Sequence, residues 1–448
     1  KSQNFKATYQ GKERKISWRK FPDVNSLGYQ NFEAVLRPNL LVCAFAFAAV
    51  ECKKYQVAAV RVGSDDAVKV WVNGALVIAN AAYRPAGFDQ DAAGIILRKG
   101  VNRILVKVCQ KEGGWGFRLR LTGTSGGPLS GIRIISADKL MKMPPRGSKV
   151  AFAEKVKIDN PLAELKRRAE QQTDSAEVHR QFGYLIEATR AGDEDQKLYR
   201  KEYRRAVELD PTDVQTLLSL SRSSTDHNRR RDLLERVLKI NPKYAPALYD
   251  LAAYYRGRGD TTREFDLLRQ ANESDPDYVS AAAVLAYNYA FSSLRGLAWD
   301  RIVKLKARFP ESGLVDYETG VIAEALGLRD EAARAYGRYL EQHRTHSQVR
   351  SYLIKRAARK GDLRQCLKLY EQSIEIYPDN LNFRQTKARF LANNGKLKRA
   401  IQELEKCFEI CPEDSKTIES LGALYRRSGD LQKAVSLWKK SLRLFPQN

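Results

Sequence analysis

The sequence predicts a two-module α+β chain, an N-terminal antiparallel β-sandwich of jelly-roll type followed by an all-α solenoid of helix pairs. Two observations predict it. Residues 5–135 break into short apolar or alternating stretches separated by turn signals, the pattern of half-buried strands. Further along, Pro242, Pro276, Pro310, Pro378, Pro412 and Pro446 stand one or two multiples of 34 residues apart, with Arg344 on the vacant rung. A fixed period of that length marks a helix–turn–helix repeat.

Composition sets the bounds. A chain of 448 residues accommodates two or three domains, and 43% hydrophobic content suffices for their cores. No apolar run of ~18 residues occurs, so no membrane-spanning helix is expected. The start at Lys1, with neither methionine nor an apolar leader, fits a processed chain or an excised piece. Net charge is +25. Residues 1–150 hold 25 Lys and Arg against 10 Asp and Glu, and the other 298 hold 53 against 43. Such basicity attracts nucleic acid, anionic lipid or acidic protein surfaces, or it is a solvated exterior. Six cysteines are too few for a disulfide scaffold in a chain this long. No C-x-x-C occurs, and His179, His227, His343 and His346 lack zinc-ligand spacing.

In the first module, Cys43–Val50 reads as an apolar strand and Tyr55–Gly63 as an alternating one. Val68–Val72 runs into Asn73-Gly74, a strong signal for a type I′ hairpin, and Ala75–Ile78 returns. Gly94–Leu97 and Asn102–Val108 flank a turn at Lys99-Gly100, and Phe117–Leu121 follows the glycine turn at Gly113–Gly116. The stretch from Gly63 through Asp65, Asp66, Trp71 and Asn73 to Gly74 resembles the core of galactose-binding-like and PA14-like jelly rolls. The run from Leu97 through Gly100 and Asn102 to Val108 fits the closing strands of the same class. The match covers roughly residues 40–122.

In some PA14-like adhesins an adjacent Asp pair chelates calcium, so the resemblance implies a calcium site at Asp65 and Asp66. Hard oxygen ligands suit calcium, but six or more are needed, and only Asn73, Asp89 and Asp91 offer themselves as helpers. The competing reading is a polar turn in which the Asp side chains bond their own backbone. Trp71 alternates with Val70 and Val72 and reads as a core residue rather than a sugar-stacking platform. Gly123–Gly127 satisfies G-x-S-x-G, yet Pro128 and a strand-like stretch at 131–135 follow instead of a helix, so it reads as a turn.

Residues 136–161 form the expected linker, with Met143, Pro144, Pro145, Arg146 and Gly147 at its centre. A capping helix is expected over residues 162–175, its apolar-patterned part Leu162–Gln172, with Asn160 as N-cap and Pro161 at the first helical position. The solenoid then occupies residues 176–448. With the proline at repeat position 32, position 15 holds Gly259, Gly327, Gly361, Gly395 and Gly429, with Ser293 the exception. Position 8 holds Ala252, Ala286, Gly320, Ala388 and Gly422, with Ile354 the exception. Position 20 holds Ala298, Ala332, Cys366, Ala400 and Ala434, with Glu264 the exception. Glycine suits a helix end needing a left-handed residue, and small side chains allow close helix contact. This pattern resembles the tetratricopeptide repeat. Six repeats run in register from Ala245, and two irregular ones precede them at 176–211 and 212–242, about eight in all. Cys366 and Cys407 take small packing positions, and Cys411 sits beside a helix-ending proline, so none reads as a nucleophile.

In that family the first helix of each repeat lines a concave groove through positions 2, 5, 9 and 12. The resemblance implies a peptide-binding set of Tyr249, Arg256, Tyr287, Tyr317, Lys355, Gln385, Arg389, Lys416 and Arg426. Tyrosines hold the earlier repeats and cations the later ones, which favours an extended peptide with acidic groups or a free carboxylate. The expected function is a non-enzymatic interaction scaffold. Its groove takes a protein or peptide, and its sandwich docks to a carbohydrate, envelope or protein surface. The module order also resembles the N-terminal half of bacterial proteins that continue into a transglutaminase-like peptidase domain. This chain ends at Asn448 without a papain-like Cys…His…Asp region, so the resemblance implies either a stand-alone version or the recognition half of a larger enzyme. A basic nucleic-acid-binding protein is the third reading, without an RRM, KH or helix-turn-helix signature. The resemblance favours a periplasmic or secreted location over the cytoplasm. The irregular repeats next to the sandwich suggest a docking contact between the modules there.

Overall fold

A computed structural model describes residues 4–11, 15–21, 28–37, 41–142, 156–189, 192–292 and 294–444. Met143–Gly147 of the linker, Ser293 and Pro446 lie outside them.

The first module is two antiparallel sheets and a small hairpin. The hairpin pairs β1 (Thr8–Gln10) with β2 (Lys15–Ser17). Then come β3 (Tyr29–Asn31), α1 (Phe32–Val35), β4 (Val42–Cys52), β5 (Gln56–Ser64), β6 (Val68–Val72), β7 (Ala75–Asn80), β8 (Asp91–Leu97), β9 (Gly100–Gln110), β10 (Gly116–Thr122) and β11 (Ile132–Ile134). One sheet has the order β3-β10-β5-β8 and the other β11-β4-β9-β6-β7. Their inner faces share one core, in which Val60, Val62, Ile95 and Leu97 of the first meet Val68, Val70, Ile104, Val106 and Val108 of the second. The strands expected from apolar pattern all form. Asn73 (φ 51°) and Gly74 (φ 91°) are both left-handed, as a type I′ turn requires. At 123–127 the Gly123 amide bonds the Gly127 carbonyl at 2.8 Å, closing a turn and not a nucleophile elbow. Packing of this module continues past residue 135. The short helix α2 (Ala137–Met141) buries Leu140 beside Ala49, Ile135, Phe5 and Phe47.

Alternation misleads at one residue. Trp71 lies on the opposite face of β6 from the buried Val70 and Val72, half-exposed on the same side as Lys69. The period of two that buries the valines sends the tryptophan outward, so the expectation of a core Trp71 is corrected.

The helical part opens with α3 (Pro161–Gln171), where Asn160 Oδ1 accepts the Ala163 amide at 3.1 Å. Two irregular helix pairs follow, α4 (Ala176–Thr189) with α5 (Asp193–Leu209) and α6 (Val214–Ser223) with α7 (His227–Ile240). Six regular pairs are α8 (Ala245–Arg256) with α9 (Thr261–Ser274), α10 (Val279–Ala290) with α11 (Arg295–Arg308), and α12 (Gly313–Ala325) with α13 (Arg329–Gln342), then α14 (Ser347–Arg359) with α15 (Leu363–Ile376), α16 (Leu381–Asn393) with α17 (Leu397–Ile410), and α18 (Ser415–Ser428) with α19 (Leu431–Leu444). Among these six pairs every first helix and every second helix begins 34 residues after its counterpart. The rung without proline keeps register too, because the His346 amide closes the turn onto His343 O at 3.1 Å and the Arg350 guanidinium bonds Arg344 O at 2.6 Å. Gly259, Gly327, Gly361, Gly395 and Gly429 all take positive φ between 71° and 86°.

The small residue at position 8 is matched to its partner on the second helix. Ala252, Ala286 and Ala388 correspond by period to Leu268, Ile302 and Leu404, whereas Gly320 faces Tyr336 and Gly422 faces Trp438. A Cβ on Gly320 would stand 2.3 Å from the Tyr336 ring. Gly320→Ala is therefore expected to cost about 1–3 kcal/mol by overpacking. Tyr336→Leu added to it should recover much of that loss, because it recreates the pairing at Ala252. Denaturant unfolding of the single and double variants checks this, and strictly additive losses would contradict the pairing.

Among the described residues, two contacts between the sandwich and the helical repeats stand out. The first is the end of α4, as the neighbouring irregular repeats suggest. Gly63 of β5 lies under the Gly87 carbonyl, and Gly87 lies under the Thr189 carbonyl, so closely that a Cβ on either would stand 1.8 or 2.3 Å from the oxygen above it. The second is the repeat with the vacant rung. Arg19 grips Asp379 with both guanidinium arms (3.1 and 3.0 Å), the Arg37 amide adds a third bond at 3.2 Å, and Val35 of α1 is buried against Ile354, Tyr370, Ile376 and Tyr377. Ile354, the bulky exception at position 8, belongs to this joint.

Candidate functional site

The expected calcium pair serves the backbone. Asp65 Oδ1 accepts the Ala86 amide at 3.0 Å and Oδ2 the Tyr29 hydroxyl at 2.5 Å. Asp66, at φ 56°, takes the Lys111 amide on Oδ2 at 2.9 Å. Burial pushes the Asp65 carboxyl up, against the pull of the Tyr29 and Ala86 bonds, and burial with the Asp65 contact pushes the Tyr29 phenol up as well. The helpers are spent elsewhere. Asn73 bonds Asn102 and the Arg103 amide, Asp89 pairs with Arg120, and Asp91 with Arg84 and Asn80. Among the described residues no group of three or more His, Cys, Asp or Glu could hold a metal ion. Asp65 and Asp66 are thus engaged by Ala86, Tyr29 and Lys111, and a calcium ion at this pair would have to share their oxygens with those donors. His179 pairs with Glu202 at 2.6 Å in the solenoid interior.

The nine expected groove residues divide in two. Tyr249 packs edge-on against Tyr278 at 5.6 Å. Tyr317 lies in an aromatic cluster with Tyr336, Tyr339 and His346, where burial, then the charge of His343, depresses the His346 imidazole. Gln385 donates to Asp414 at 2.7 Å and to Thr417 at 2.9 Å. Arg256 bonds Glu264 at 2.6 Å, and Asn288 bonds the same carboxylate at 2.9 Å. Glu264, the charged exception at position 20, is thus a buried carboxylate held by two donors. These four residues tie repeat to repeat.

The other five are exposed, as Arg256 also is beside its Glu264 partner. Lys355 of α14, Arg389 of α16, and Lys416 and Arg426 of α18 are exposed and hold no ion pair among the described residues. In α18 the residues at positions 2, 5, 9 and 12 are Lys416, Glu419, Ala423 and Arg426, and all four are exposed. That is the stripe a groove-facing helix edge should present. Tyr287 is 39% exposed and lies 4.7 Å from the ring of Phe291, itself 64% exposed.

Sequence reasoning did not single out a further exposed aromatic at the same repeat position. A Cβ on Gly183 would stand 3.0 Å from the Tyr203 ring, so Gly183 is the small position of the irregular first pair. Tyr184 is then the equivalent of Tyr287, Lys355 and Arg389, and it is 66% exposed. The extra residues in that repeat broke the period that would have shown it. A glycine within an apolar helical pattern was the available signal.

Residues 369–402 match the family model described as tetratricopeptide repeat. No curated protein matches the chain. Among solved structures, MamA is 21% identical, with 40% of this chain and 96% of that one covered and a TM-score of 0.31. YrrB, described as a TPR protein with an unusual peptide-binding site, is 14% identical over 41% of this chain and 95% of that one, with a TM-score of 0.32. A tetratricopeptide repeat protein from Parabacteroides merdae ATCC 43184 is 12% identical over 59% and 98%, with a TM-score of 0.36. No described helix is long and apolar enough to cross a membrane. With the 34-residue helix spacing and the family-model match, the helical part of this chain carries tetratricopeptide repeats.

Proposed function

We propose that this protein is a non-enzymatic interaction scaffold whose solenoid binds an extended, acidic peptide segment of a partner protein. The observation that carries this reading is the division among the groove residues. Tyr249, Arg256, Tyr317 and Gln385 have internal partners, whereas Lys355, Arg389, Lys416 and Arg426, on three successive first helices, stand exposed and hold no ion pair among the described residues. Exposed cations on successive first helices suit carboxylates arriving from outside, and the exposed Tyr287 and Phe291 suit an apolar anchor on the same peptide.

The sandwich is the second contact surface in this proposal. Its four-stranded sheet is covered, since Gly63 of β5 meets the Gly87 loop and Gly94 of β8 meets Val156. Its five-stranded sheet turns outward. Lys69 lies opposite Lys107, and Phe45, 51% exposed, lies opposite Lys107 on the other side and under its ammonium. With Trp71 on the same face, these residues suit a carbohydrate, envelope or protein surface. The galactose-binding-like identity, an extracytoplasmic location and kinship with transglutaminase-like proteins belong to this proposal.

Fluorescence polarisation of the full chain with a short Glu-rich, tyrosine-containing peptide tests the groove. Reversing Lys355, Arg389, Lys416 and Arg426 to glutamate is expected to weaken binding roughly 30-fold, four surface pairs at about 0.5 kcal/mol each. An unchanged affinity would remove the groove from the proposal. Tighter, steeply salt-dependent binding of single-stranded RNA on the same residues would replace the peptide by a phosphate backbone.

A further inference from the structure

We propose that Cys43 and Cys109 are an oxidation site, closing a cross-strand disulfide on the outer face of the five-stranded sheet. The two residues are direct register partners in the β4–β9 pair. Residues opposite one another in an antiparallel pair have Cα atoms about 4.5–5.5 Å apart, inside the span of roughly 4.4–6.8 Å that a disulfide bridges. Both side chains leave the sheet on the same side. Val108 beside Cys109 is fully buried, whereas Cys43 is exposed and Cys109 half-exposed. The two sulfurs stand 2.6 Å apart, closer than non-bonded sulfurs settle.

The other four thiols have no such partner. Cys366 and Cys407 are fully buried, each 3.9 Å from a backbone carbonyl, Cys52 lies under Asn102, and Cys411 is at a helix end. Lys107 and Lys69 adjoin the pair and favour its thiolate, while burial and the neighbouring Cys43 push the Cys109 thiol up to about 11. Exposure then makes Cys43 the first attacker. Its thiolate attacks one sulfur of a small-molecule disulfide such as glutathione disulfide, forming a mixed disulfide and expelling one thiolate. The Cys109 thiolate attacks the Cys43 sulfur and expels the second. The cysteine pair loses two electrons and two protons, and the oxidant leaves as two thiols.

The bond spans 66 positions of sequence, from the start of β4 to the end of β9. A cross-link over so long a stretch restricts the unfolded chain strongly. It would clamp the seam beside Phe45 and Lys107. An oxidising compartment would keep it closed, in line with the extracytoplasmic placement proposed above, but the chemistry of the pair does not depend on that placement.

Reduced full-length protein is equilibrated with glutathione disulfide, then alkylated in denaturant and mapped by peptide mass. The expected result is one linked peptide pair, Cys43 to Cys109, with the other four cysteines alkylated. The thermal midpoint of the full chain is expected to rise by about 4 °C over the reduced form. Cys43→Ser should abolish both changes and Cys411→Ser neither; should Cys43→Ser not fold, the wild-type map decides alone. Six alkylated thiols, a persisting glutathione adduct at Cys43, or a link to any other cysteine would overturn the proposal.

Discussion

Glu403→Gln is expected to lower the stability of the solenoid by about 3 kcal/mol or more, because it strips the shared partner from two poorly exposed cations. Glu403 Oε1 bonds Lys387 Nζ at 3.1 Å and Oε2 bonds Arg384 at 3.0 Å, with side-chain exposures of 10%, 7% and 15% for the three residues. The cluster joins α16 to α17. Burial alone would push the Glu403 carboxyl up, but the charge and hydrogen bond of Lys387, with Lys406 and Arg384, outweigh it and hold the group below its ordinary value. A carboxyl depressed in the folded state contributes its stability above the unfolded pKa of about 4.3 and loses it as pH falls through the lower folded value. Thermal unfolding should therefore weaken more steeply on acidification in wild type than in Glu403→Gln. Parallel pH profiles, or a glutamine variant as stable as wild type at neutral pH, would contradict the buried-pair account. Replacing Lys387 and Glu403 together by apolar residues should restore part of the loss.

Gly63→Ala is expected to disturb the joint between the modules. Its Cβ would stand 1.8 Å from the carbonyl oxygen of Gly87, whose own backbone rests on Thr189. Backbone cannot move aside as a long side chain can, so the cost falls at the upper end of about 1–3 kcal/mol. Asp379→Ala attacks the second contact, leaving the Arg19 fork and the Arg37 amide without their acceptor. The double variant is expected to scatter with a larger radius of gyration and to split one unfolding transition into two. Wild-type scattering that already requires freely rotating modules would refute the joint. The two contacts are far apart in sequence, at 188–189 and at 354–383, so neither variant alone should free the sandwich completely.

The sequence was most legible where the physics is local. Alternation placed the strands, Asn73-Gly74 its turn, Asn160 and Pro161 the start of α3, and the 34-residue spacing every regular helix pair. Each rests on neighbours within a few residues or on a repeated solution to the same packing problem. The candidate site was legible by half. Position within the repeat nominated residues for a groove edge, but not which of them already had partners. Arg256 is bound to Glu264, and Gln385 to Asp414, by contacts between helices that one-dimensional position does not reveal. The partners of Asp65 and Asp66 were hidden for the same reason, since Tyr29, Ala86 and Lys111 lie up to 45 residues away.

Local pattern specified an antiparallel β module followed by helix pairs, and the register of the six regular pairs, because periodic burial of apolar side chains encodes these within short stretches of chain. Tertiary structure alone decided which cations stay unpaired, where the sandwich meets the solenoid and that Cys43 faces Cys109. Those depend on strand register and on contacts between residues tens to hundreds of positions apart. No local pattern encodes such a contact when each partner, taken singly, is an ordinary Arg, Asp, Gly or Cys.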